Sequence, residues 1–177
     1  MNGPLLSRRR FLIVWLGGLT AFGVSIWLHQ PLAIEAVPDG IIAHQRAATA
    51  ERVDEIQAAW SEAGVYRDAF TAMVSDLAFI VIYTLGSLLG GLYFLKVGEG
   101  SLRTLGALLI FSALVFGATD ITETWLQLEQ LTAGEGDRAK ASVAAAMYWP
   151  KVGSFIACFL LPVIGLVMER RISSRAA

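Results

Sequence analysis

The sequence predicts an all-α integral membrane protein, a four-helix bundle with an amphipathic helix in its first outer loop. Three observations carry this expectation. Over a chain of 177 residues, 55% are hydrophobic and only 16% are charged, more apolar and less charged than a soluble domain. Four apolar stretches are long enough to cross a hydrocarbon core, which takes about 20 helical residues. Strict alternation of apolar and polar residues is absent, and a lipid-embedded backbone must satisfy its own polar groups, so the stretches are read as helices.

The spans are residues 11–28, 69–97, 102–128 and 141–168, within one four-span membrane domain covering 1–177. The first, FLIVWLGGLTAFGVSIWL, has no charge and follows Arg8, Arg9 and Arg10. SRRRFL there resembles the twin-arginine export motif. Ile13 stands where Lys is common, the apolar core is long, and no small-x-small cleavage site follows, so a basic anchor is the expectation. Lys and Arg set orientation. Lys96, Arg103, Arg170, Arg171 and Arg175 fall on the side of the N-terminal arginines; Arg46, Arg52, Arg67, Arg138 and Lys140 fall opposite. Both termini are therefore expected on the cytoplasmic side of a bacterial inner membrane. Trp27, Trp125 and Trp149 suit an outer aromatic belt.

Residues 30–68 form the extracytoplasmic loop. Pro31, Pro38, Asp39 and Gly40 favour turns, and HQRAATAERVDEIQAAWSEAG (44–64) then reads as one helix. Its stripe is Val53, Ile56, Trp60 and Ala63, with Gly64 as the stop. The later links, VGEGS and AGEGDRAK, are short, so the second, third and fourth spans should be antiparallel neighbours. Gly86-x-x-x-Gly90, with Ser87 and Gly91, admits a close helix, either from this chain or from a membrane-protein partner or homodimer.

Asp76, Asp120, Glu123 and Lys151 each lie about 17–20 residues from the cytoplasmic end of their span. At about 1.5 Å per residue they share one level near the outer rim of the membrane core. Phe116, Asp120, Glu123, Gln127 and Gln130 share a helix face; Asp76, Ile80 and Tyr83 share another, and Tyr148, Lys151 and Phe155 a third. An acid facing lipid is costly, so these faces are expected to converge, with Tyr83, Tyr148 and Thr119 supplying hydrogen bonds. Three acids against one lysine call for a shared proton, an arginine reaching in (Arg67 is nearest) or a bound cation. Two uses stay open: an ion-pair network that fixes helix register, or a working site.

Other chemistries are disfavoured. A net charge of −1 without a basic stripe excludes nucleic acid, and one cysteine excludes an intrachain disulfide. His29 and His44 lack the Glu-x-x-His spacing of di-iron bundles, so neither metal nor cofactor is expected. No nucleophile elbow, P-loop or His-Glu-x-x-His motif is present, and catalytic residues are not assignable.

Asp76-x-x-Phe79-x-x-x-Tyr83, Asp120-x-x-Glu123 and Lys151 before the last apolar run resemble the pattern of a family of small uncharacterised bacterial four-helix membrane proteins. Thr124 stands where that family has Asn. The resemblance implies shared placement of these residues over about 70–168 and implies no reaction. The resulting expectation is a binding or accessory protein with an outer-leaflet polar pocket for a lipid headgroup, small amphiphile or partner helix. The alternative is a proton-coupled carrier or membrane enzyme exchanging protons at Asp120 or Glu123.

Overall fold

The computed structural model describes residues 7–176. Its helices are α1 (Arg8–His29), α2 (Ile41–Gln45), α3 (Ala50–Glu62), α4 (Tyr66–Val97), α5 (Gly100–Ala133) and α6 (Arg138–Ala176), with a 3-10 turn at Gln30–Leu32. Among the described residues there is no strand, only an isolated bridge between Ile34 and Val37. α1 with its following turn, α4, α5 and most of α6 are each long and apolar enough to cross a membrane.

Local chemistry sets the helix ends. The Ser7 hydroxyl accepts from Arg10 N and caps α1, supplying a partner for one of its free N–H groups. Gly134, at φ +70°, turns the chain left-handed after α5 and returns its N–H to Gln130 and Leu131. Asp137 then accepts from Lys140 N at 2.8 Å as α6 begins. The helices run past the predicted spans at their polar ends.

Packing follows chain order: α1 lies along α4, α4 along α5, and α5 along α6. Glycine makes the first of these contacts close. A Cβ on Gly86 would sit 2.5 Å from Trp15 Cα, and one on Gly18 would sit 2.7 Å from Tyr83 Cα. Gly90 meets the Phe11 ring, and Gly91 lies against Gly106 of α5. The Gly86–Gly90 face is thus covered by the chain's own helices. α1 and α6 make no comparable backbone approach. Large side chains bridge them instead: Trp15 Nε1 donates to Cys158 O at 3.1 Å, and the Phe22 and Phe155 rings are 4.8 Å apart.

α2 and α3 cap one end of the bundle. Leu32, Val37, Val53, Ile56 and Trp60 are buried there with Met73, Leu131 and Ala141 from the long helices. Trp60 Nε1 donates to Leu32 O at 3.0 Å, and Gly136 N donates to Asp54 at 2.5 Å. The single helix expected over 44–64 is in fact two. Thr49 adopts an extended backbone and its hydroxyl accepts from Arg52 N, so it caps α3 and breaks the run after Gln45. Val53, Ile56 and Trp60 turn inward as their spacing requires, whereas Ala63 is the exposed C-cap before Gly64 at φ +74°.

His44 is sealed inside this cap. Its ring stacks on Trp60 at 5.3 Å, and Gln57 Nε2 donates weakly to its Nε2 at 3.5 Å. Desolvation lowers its pKa from 6.5 to about 4, so the buried ring is neutral. Because the folded value lies below the unfolded one, stability is full above pH 6.5 and declines as pH falls toward 4. The total loss should be roughly 3 kcal/mol. Unfolding midpoints of the wild type and His44→Phe, compared across that window, should diverge on acidification; parallel curves would show that His44 is not the titrating group.

Candidate functional site

Beneath the cap, α1, α4, α5 and α6 bring polar side chains together. Lys151 Nζ donates to Glu123 Oε1 at 2.5 Å and stands 3.5 Å from Asp120 Oδ1. All three are buried, Glu123 completely. The placement comes from helix periodicity: Phe116, Asp120, Glu123, Gln127 and Gln130 all face inward along α5. Glu123 Oε2 and Gln127 Nε2, one turn apart, have no hydrogen-bond partner. Lys151 is therefore committed to two carboxylates, and Glu123 retains an unused oxygen.

Asp76 belongs to a second group. The Ser25 hydroxyl donates to Asp76 Oδ1, and His29 Nε2 lies 3.3 Å from Asp76 Oδ2. His29 Nδ1 is 2.8 Å from the Ser25 carbonyl, which only accepts, so Nδ1 carries a proton. His29 Nε2 makes no hydrogen bond, although Asp76 Oδ2 lies 3.3 Å away. Ser, His and Asp meet here, yet not as a nucleophilic triad. In such a triad the serine hydroxyl and the carboxylate engage opposite ring nitrogens. Here the hydroxyl contacts the carboxylate directly and lies 3.4 Å from Nδ1, the nitrogen already held by the backbone.

The remaining predicted residues fall in different places. Tyr148 lines the site, its ring centroid 5.7 Å from Lys151 Nζ and 5.9 Å from Arg46 Cζ. Arg46 is thus the arginine that comes near, and Arg67 is exposed in the first turn of α4. Tyr83 is buried below the polar groups; its hydroxyl points to Phe155 O at 3.4 Å and not to a carboxylate. Thr119 bonds carbonyls of its own helix. Phe22, Phe79, Tyr83, Phe116 and Phe155 form an aromatic floor, with centroid separations such as 5.1 Å for Phe22–Phe79 and 5.4 Å for Tyr83–Phe116.

Ser25 and His29 were not expected at the site. The signal for them is nonetheless in the sequence. Phe11, Trp15, Gly18, Phe22, Ser25 and His29 follow steps of four and three along α1, one continuous stripe ending in buried Ser25 and half-buried His29.

Between α1 and α6, under the segment 33–45, lies a cavity of about 410 Å³. Its polar wall includes Ser25, His29, Asp76, Asp120 and Lys151, with Asp39 and Gln45 above. Its apolar wall includes Phe22, Ile26, Phe79, Phe116, Val152 and Phe155. The volume is within the range of small-molecule sites, and the split lining suits a ligand with one polar end. Among the described residues no group of His, Cys, Asp and Glu has metal-holding geometry. Comparison with protein-family models, curated proteins and solved structures finds no match for this chain.

Proposed function

We propose that this is a multi-pass protein of a bacterial inner membrane, both termini cytoplasmic, whose outer-side cavity binds the polar end of a membrane amphiphile. The cavity carries the reading: it joins a polar wall of Asp76, Asp120, Lys151, Ser25 and His29 to an aromatic and aliphatic wall. Its position supports an outer-leaflet level. Trp27, Trp125 and Trp149 are exposed on the spanning helices near the capped end, as residues at headgroup depth would be. Farther along, Ile13, Leu16, Leu108 and Phe111 are exposed on the outward faces, as lipid contact requires. α2 and α3 serve as a roof over this cavity, which suits a binding or accessory role.

Native mass spectrometry of the full chain released from membranes tests this. One lipid or small amphiphile should be retained per chain, and Val152→Trp, which fills the cavity, should expel it. Retention unaffected by Val152→Trp would place the amphiphile elsewhere and end the reading.

A second reading rests on one observation. Glu123 is fully buried with an unpartnered oxygen, beside a lysine shared with Asp120. Such a group can take up and release a proton, as a proton-coupled carrier or membrane enzyme requires. Under that reading Glu123→Gln folds normally and still binds the amphiphile but loses proton-coupled uptake in proteoliposomes.

A further inference from the structure

We infer that the cavity selects an amphiphile whose head is a primary ammonium, entering sideways between α1 and α6. The inference rests on the amphiphile-binding reading above and specifies its ligand.

Charge selects the head. Asp76 and Asp120 both line the cavity, and Glu123 lies directly behind Lys151. Against these three carboxylates stands one lysine, already held at 2.5 Å by Glu123 and 3.5 Å by Asp120. His29, 3.3 Å from Asp76, can bring at most one further positive charge, which still leaves the group one short. Asp39 adds another carboxylate at the upper wall, while Arg46 lies over the Tyr148 ring and is not among the cavity-lining residues. An anionic head would meet this excess of like charge, and beside a neutral head only a bound proton could offset it. A primary ammonium brings three donors and one positive charge. It can donate to Asp76 and Asp120 together, with the Ser25 oxygen as a third acceptor.

Packing selects the route. α1 holds tightly to α4 through Gly18 and Gly86, but beside the cavity it faces α6 through side chains, Phe22 against Phe155, with the Trp15–Cys158 O hydrogen bond lying farther along. Side chains can rotate aside where interlocked backbones cannot. The apolar wall of the cavity comes from these two helices, through Phe22, Ile26, Val152 and Phe155, and continues toward exposed Ile156. An alkyl chain leaving the head along this wall passes directly onto the apolar surface of the bundle.

The test uses the full chain in a non-ionic detergent, titrated with dodecylamine, dodecanol, dodecanoate and ethylamine, with bound species counted by native mass spectrometry. Dodecylamine should bind at one per chain, at least about tenfold tighter than dodecanol. Asp76→Asn and Asp120→Asn should erase that preference while dodecanol binding persists, which also reports that the variants are folded. Val152→Trp, which leaves every charge in place, should block dodecylamine. Equal affinity for dodecylamine and dodecanol, or a preference for dodecanoate, would overturn the ammonium head and leave the amphiphile pocket standing. Ethylamine binding as tightly as dodecylamine would overturn the alkyl-chain route. Failure of every long-chain probe to bind would overturn both the inference and the reading beneath it. Nanodiscs of phosphatidylethanolamine and of phosphatidylglycerol then separate sources. Saturable retention of the ethanolamine lipid alone identifies a membrane lipid, and binding of dodecylamine without it identifies a free amine amphiphile; either supports the inference. Retention of phosphatidylglycerol in preference to both overturns it.

Discussion

Lys151→Met should destabilise the protein by about 3–5 kcal/mol, the usual cost of removing one partner from a buried ion pair. The methionine fills much of the lysine's volume, so lost packing contributes little. The loss comes from Glu123, completely buried and deprived of its 2.5 Å donor, and from Asp120, whose nearest cation disappears. Adding Glu123→Gln removes the more deeply buried charge and should recover more than half of the loss. Adding Asp120→Asn as well should recover most of the rest, because a neutral layer tolerates burial far better than an unmatched charge. Denaturant unfolding in mixed micelles, applied to the wild type and these three variants, measures the series. A Lys151→Met protein as stable as the wild type would show that the carboxylates do not depend on the lysine. A single variant and a triple variant equally unstable would point to packing as the cause.

Gly86→Ala should be the most damaging one-carbon change in the spans. The new Cβ would sit 2.5 Å from Trp15 Cα and 2.6 Å from Trp15 N. These are backbone atoms of a neighbouring helix, so no rotamer change relieves the clash and α1 must shift as a body. Overpacking a close contact costs about 1–3 kcal/mol, and the upper end is expected here. Gly23→Ala supplies the control. It lies on the same α1 contact helix, but its Cβ would meet nothing within 4 Å, and alanine improves helix propensity by up to about 1 kcal/mol. Thermal midpoints should therefore fall for Gly86→Ala and stay level or rise for Gly23→Ala. Since α1 carries Ser25 and His29 to Asp76, Gly86→Ala should also weaken retention of a cavity ligand. Equal behaviour of the two variants would mean that α1 does not dock through this face.

The four long helices were legible because uninterrupted apolar runs of that length admit few alternatives, and the short links after α4 and α5 forced neighbouring order. The convergence of Asp120, Glu123 and Lys151 was legible too, since each sits on an inward face at a matching distance along its helix. Asp76 shared their level, but its partners were not foreseen. α1 is apolar nearly all round, so nothing in its composition says which side turns inward; that is decided by Gly18 meeting Tyr83 and by Gly86 meeting Trp15. The break at Thr49 was hidden for a different reason. Alanine, glutamate and arginine favour helix on both sides of it, and one hydroxyl finding the Arg52 N–H outweighs that preference.

The link between α5 and α6 bears on how such a protein is made. Glu123 and Lys151 are drawn together by a single hairpin, whose connection runs only from Gly134 to Asp137. In the membrane placement proposed above, this hairpin carries its own counter-charge. Glu123 and Lys151 can leave the aqueous insertion pathway as a pair before any other helix is in place, which lowers the penalty each would meet alone and leaves Asp120 as the unmatched buried charge of the hairpin. α1, emerging first from the ribosome and bound most closely to α4, can then close the assembly last among its contacts with α6. In that placement the ion pair would serve assembly as well as the finished bundle, because it would be complete at the stage when a lone charge is hardest to insert.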